Sequence, residues 1–152
     1  TDAVLPLDYA EHAAYLIEEL QSLQKAAGDR FDLSVLLARA EELQRKAGEL
    51  NGRIAQAKGA DAADIANDVL TKVARALVPV DYSTGDRFGQ DPAINQQAYP
   101  ALQPLRGLAA HAPGSDAALF LEVGMRRARN RVAFALRDAI AAIDNGLSRL
   151  AA

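Results

Sequence analysis

The chain has 152 residues, a formal net charge of −3 and no cysteine. A domain of this length buries about 68–70% of the surface its unfolded chain exposes, and the small negative charge gives no general attraction to nucleic acid or an anionic membrane. The lack of Cys excludes a disulfide framework and thiolate metal sites but leaves the compartment open.

Thirty-three alanines and only eight aromatic residues predict well-formed, closely approaching helices around a core thin in side-chain bulk. A buried Ala removes much less apolar area from water than a Leu, so large interfaces to something else would help such a domain. No run of 18 apolar residues and no signal-peptide pattern occurs, so a soluble chain without a membrane span is expected. Four amphipathic segments predict a single all-α domain over residues 1–152. It is four-helix-bundle-like, with one long proline-containing loop between the third and last long helices.

The first helix is expected to start at Asp8, because Asp8 and Glu11 have capping-box spacing with Asp in place of the usual Ser or Thr. Ala13, Leu16, Ile17, Leu20 and Leu23 form its apolar face, and Gly28 suits a left-handed stop. The second helix follows a cap at Asp32 or Ser34 and runs to about Lys58. Its stripe is the clearest in the chain: Leu33, Leu36, Ala40, Leu43, Ala47, Leu50, Ile54 and Ala57 step alternately by three and four. Such a rod of some 25 residues spans roughly 38 Å and is stable only when other helices cover that stripe.

The third helix is expected from near Asp61, with Ile65, Val69, Val73 and Leu77 on its face, until Pro79, which disfavours the α conformation in the residue before it. Val80 to Gly114 reads as a long irregular stretch carrying Pro92, Pro100, Pro104 and Pro113, with a short helix near Leu102 to Ala110. Loops of that length are usually functional or disordered. The last helix is capped by Ser115, runs through Leu119, Val123, Val132, Leu136, Ile140 and Ile143, and fades near Gly146. Its apolar residues, including Phe134, spread over more than one face, which predicts neighbours on two sides.

Catalytic constellations are not evident. His12 and His111 are isolated, without zinc or di-iron spacing, and His12 reads as a surface or cap-adjacent residue. Asp61, Asp64 and Asp68 open a helix, where carboxylates favour the positive end of the dipole over a cation site. Glu18-Glu19 and Glu41-Glu42 sit about 100° apart on their helices and read as solvated edges rather than acid/base pairs. Arg126, Arg127, Arg129 and Arg131 fan around the last helix and have no interleaved aromatic platform. Intramolecular or subunit ion pairs are therefore expected ahead of an anion- or nucleic-acid-binding surface. Gly48 and Gly52 form a G-x-x-x-G amid charged residues, which suggests a tight crossing or local bend in a water-soluble helix.

The opening Asp2-Ala3-Val4-Leu5-Pro6-Leu7-Asp8-Tyr9-Ala10, with Phe31-Asp32-Leu33 and Leu119-Phe120-Leu121-Glu122-Val123, resembles the C-terminal, transferrin-receptor-like helical dimerisation domain of glutamate carboxypeptidase-like zinc metallopeptidases. The likeness covers essentially the whole chain in order and spacing. It implies a non-catalytic fragment of a larger protein. That fragment pairs with its own copy and buttresses the active-site side of a preceding protease domain, which holds the zinc and all the zinc ligands. No catalytic or metal-ligating residue, and no cofactor, is carried over to this chain.

The family's Asn-Lys-Tyr element, which helps to bind a C-terminal glutamate, is missing from the corresponding stretch Arg87 to Pro100. The chain departs there from glutamate specificity, and Asn95 and Tyr99 remain as candidates for a substrate-pocket rim in the parent. Phe134 is the candidate dimer contact. A free-standing helical scaffold that binds another protein through exposed apolar faces is the alternative.

Overall fold

The computed structural model describes residues 3–84 and 97–151. The fold is all-α and bundle-like, built from α1 (Tyr9–Ala27), α2 (Ser34–Gln56), α3 (Ala60–Tyr82) and α4 (Asp116–Leu150), with 3₁₀ segments at Gly28–Arg30 and Gln103–Ala110. Among the described residues the principal helix contacts are α1 with α2, α2 with α4 and α4 with α3, while α2 barely touches α3. The second 3₁₀ segment lies against both α1 and α4. It buries Leu105 and Leu108 completely, each contributing about 2 kcal/mol. A proline-containing connection thereby supplies part of the core.

The termini of the helices follow local chemistry. Asp8 Oδ1 accepts hydrogen bonds from the backbone N–H groups of Ala10 and Glu11 at 2.9 and 3.2 Å, as its capping role predicts. An added bond from Asn51, followed by those from the helix N-terminus, holds the Asp8 carboxyl below its ordinary value. Gly28 ends α1 at φ 57°, a conformation that costs glycine little. Leu33 occupies the N-cap position of α2 and makes no side-chain cap. Asp32 Oδ1 instead accepts from Ser34 N–H at 2.8 Å, and Gln24 Oε1 from Leu33 N–H at 2.8 Å. Ser115 caps α4 by accepting from Ala118 N–H. Ahead of α1, Asn67 on α3 grips the extended N-terminal segment from both sides: its Oδ1 accepts from Leu5 N–H at 2.8 Å and its Nδ2 donates to Ala3 O at 2.9 Å.

Four expectations are corrected. The second helix ends at Gln56, two residues short of Lys58. Conversely, α3 continues through Pro79 to Tyr82. Proline that close to a C-terminus removes only the bond to the carbonyl four residues back, and the last turn still closes with Ser83 N–H donating to Pro79 O at 3.1 Å. The last helix runs past Gly146 to Leu150 because that glycine is a packing position. A Cβ built there would sit 2.3 Å from Val69 Cγ2, so only hydrogen fits where α4 crosses α3. Gly48 and Gly52 do the opposite. Both are exposed, with nothing within 4 Å of a built Cβ, so no tight crossing occurs at the G-x-x-x-G.

Candidate association surface and the histidine–tyrosine clasp

The buried face of α4 is made by Ala118, Met125, Ala128, Val132, Leu136, Ala139, Ile140, Ile143 and Gly146. The apolar residues of α4 do lie on more than one face: Leu119 and Val123 are 48% and 46% exposed, with Phe120 at 80% and Phe134 at 56%. In these first turns α4 buries Ala118 and Met125 instead. At about 100° per residue, Leu119, Phe120, Val123 and Phe134 fall within one sector diametrically opposite the buried face. The helix therefore has two apolar sides, one against the bundle and one facing solvent.

Phe134, the predicted contact residue, lies on the outer side with the Arg137 guanidinium stacked 4.6 Å from its ring centroid. Arg39 and Glu42 of α2 border this side at an open groove shared with Arg137, Ala141 and Asp144. Arg39 also donates to Ala133 O at 2.7 Å, fixing α2 against α4 there.

The arginine cluster is divided by the fold. Arg129 lies over the Phe31 ring at 5.2 Å and donates to Asp32 O at 3.0 Å, and Arg131 donates to Thr84 O at 3.1 Å. Both are intramolecular, with their hydrogen bonds going to backbone carbonyls rather than carboxylates, although the Arg129 charge also helps, after the bonds from Ser34, to hold the Asp32 carboxyl below its ordinary value. Arg126 and Arg127 are exposed. No continuous basic strip results. The acidic start of α3 is likewise structural where it has partners: Asp68 bonds Lys72 at 2.8 Å and also pairs with Arg149 of α4.

A second cluster was not anticipated. His12, expected at the surface or beside the cap, is half-buried, with Nε2 2.9 Å from both oxygens of Asp81 near the C-terminal end of α3. Tyr9 and Tyr99 pack edge-on against its ring at centroid distances of 6.2 and 6.3 Å. The Tyr9 hydroxyl donates to Leu70 O of α3 at 3.1 Å. Burial, and secondarily the Asp81 charge, raise the pKa of Tyr9. Tyr99 is shifted upward more strongly, by burial first and then by Asp81, Glu19 and Tyr82.

The spacing places His12 directly before Ala13 and so beside the apolar stripe of α1, but nothing local to it points to Asp81. Its remaining nitrogen, Nδ1, is buried without a hydrogen-bond partner among the described residues. Through Nε2 and the Asp81 carboxylate, His12 serves as a clasp between α1 and α3.

Of the two candidate rim residues, Asn95 lies outside the described residues. Tyr99 is 6% exposed, and its backbone is held at φ 52° with the ring packed inward. Among the described residues there is no group of three or more His, Asp or Glu side chains placed to hold a metal ion, and no helix is long and apolar enough to cross a membrane. Comparison with protein-family models, curated proteins and solved structures yields no match for this chain.

Proposed function

We propose that this chain is a non-catalytic helical association domain that joins two copies of its protein through the outer side of α4. In the sense of the resemblance drawn from its sequence, it is the dimerisation domain of a glutamate carboxypeptidase-like zinc metallopeptidase. It buttresses the active-site side of the parent's protease domain, where the zinc and its ligands reside. The observation that carries the association reading is the second apolar side of α4. Leu119, Phe120 and Val123, with Phe134 three turns further along, are large side chains left in water on a helix whose opposite side already fills the core, and exposed large apolar groups on one side of a helix support an interaction surface there.

One helix stripe is smaller than the roughly 800 Å² per partner of a standard interface. This domain alone should therefore associate weakly, with neighbouring parts of the parent enlarging the contact. Sedimentation with and without Phe134→Asp tests the association. A two-fold contact receives the substitution twice, so the expected result is a folded monomer where the unsubstituted protein is dimeric. An unchanged dimer rejects this placement. The peptidase assignment is tested by the reading frame ahead of Thr1: a protease domain with zinc ligands supports it, and an unrelated upstream sequence rejects it.

A further inference from the structure

Of the four helices α3 is the least embedded. It lies along α4 and barely meets α2, and among the described residues no Cα atom of α3 comes within 8 Å of one in α1. Away from α4 it is held by side chains, Tyr9 and His12 among them, and by the extended segment of residues 3–8. That segment runs from α3 to α2. Asn67 of α3 accepts from Leu5 N–H and donates to Ala3 O, and Asn51 of α2 donates to Asp8 Oδ1 at 3.0 Å. Between these anchors Leu7 N–H donates to Leu5 O at 2.9 Å, closing a three-residue turn about Pro6, whose ring fixes φ near the value such a turn requires. Val4, Leu5 and Leu7 are 38–42% exposed, so more than half of each is covered, and they border a groove completed by Ile54 and Ala55 of α2 and Leu70 of α3.

We infer that residues 3–8 are a strap that seats α3, and that its release lets α3 open ahead of the other helices. The two polar anchors of the strap sit on helices whose backbones barely meet, so it supplies a link between them that direct helix packing does not. Its apolar residues share the groove with Leu70, and the Leu70 carbonyl receives the hydroxyl of Tyr9, the residue that follows the strap. Strap and tyrosine thus converge on a single turn of α3, Asn67 to Leu70. The connection from α2 to α3, residues 57–59, ends on Gly59 at φ 99°, with nothing within 4 Å of a built Cβ. It is a short pivot in a conformation that glycine adopts readily and that packing does not clamp. A helix with one large helix neighbour, a pivot at its start and a polar latch on its flank is suited to open as a local unit, short of global unfolding.

Native-state hydrogen exchange, read by peptide mass, tests this on the full chain, on Asn67→Ala, on Asn51→Ala and on a chain shortened to begin at Asp8, which keeps the α1 cap and Tyr9. Asn67→Ala removes two hydrogen bonds and is expected to speed exchange across residues 66–77 about tenfold, and the shortened chain at least as much. Residues 16–23 of α1 and 36–43 of α2 should keep their rates in both. Asn51→Ala is the decisive variant, because its side chain belongs to α2 and bonds the strap at Asp8. Its loss should quicken residues 66–77 of α3 several-fold and leave α2 around position 51 unchanged. Equal acceleration in all four helices overturns the inference, since the strap would then add only to global stability. So does an α3 that keeps its rate in the asparagine variants, or an Asn51→Ala effect confined to α2. If the shortened chain does not fold, the two asparagine variants decide by the same criteria.

Discussion

Gly146 and Gly48 are the same residue type in helix interiors, yet their replacement by alanine should move stability in opposite directions. At Gly146 the new methyl would meet Cγ2 and Cγ1 of Val69 at 2.3 and 2.8 Å, and a β-branched side chain has little rotamer freedom with which to retreat. Overpacking of this kind costs about 1–3 kcal/mol, against the gain of about 1 kcal/mol that Ala brings to a helix. The Gly146→Ala variant should lose up to about 2 kcal/mol. Gly48→Ala meets nothing within 4 Å and should gain up to about 1 kcal/mol. Urea unfolding of the two variants beside the parent chain measures both signs.

At the scale of elements, the 3₁₀ segment Gln103–Ala110 is strapped to α1 through Glu19, which accepts from Gln103 Nε2 at 2.8 Å and from Arg106 Nη2 at 2.6 Å. Burial alone would raise the Glu19 carboxyl, but the bonds from Gln103 and Arg106 together outweigh it and hold its pKa below the ordinary 4.5. A depressed carboxylate contributes its stability above the unfolded-state value and loses it as pH falls through the folded one. The stability difference between the parent chain and Glu19→Gln should therefore be constant from neutral pH down to about 5. It should shrink below that, by a fraction of a kcal/mol because Arg106 is partly solvated; urea midpoints across that range check it.

The elements themselves were largely legible in the sequence. The three-four stepping of α2, the Asp8 and Ser115 caps and the break at Gly28 are each set within a few residues of chain, where propensity and pattern act. What escaped depends on neighbours distant in sequence. Gly146 reads as a helix ending unless Val69 is known to face it. Which of the apolar faces of α4 is the inner one depends on Ala118 and Met125 being turned toward the bundle. Of the candidate site residues, Phe134 was legible as surplus to one face. The partnership of His12 with Asp81 spans 69 positions, and no local pattern announces it.

For the whole molecule, α1 and α3 are joined through side chains that reach across, principally Tyr9 to the Leu70 carbonyl and His12 to Asp81 with Tyr99 beside it. The raised pKa values of Tyr9 and Tyr99 mean that the folded state favours the neutral phenols. Stability from these groups is intact below the ordinary tyrosine value of 10.0 and declines as pH rises past it. Thermal midpoints should accordingly fall above pH 10, and that alkaline slope should flatten in the Tyr9→Phe/Tyr99→Phe double variant, which is also expected to start about 1 kcal/mol less stable for want of the Tyr9 hydrogen bond. The grip of Asn67 on Ala3 and Leu5 joins points 64 and 62 positions apart. Tension on the segment ahead of Asp8 therefore enters the bundle at α3 before it reaches the first turn of α1. Two hydrogen bonds of one asparagine thus couple the segment that leads into the opening helix to the third.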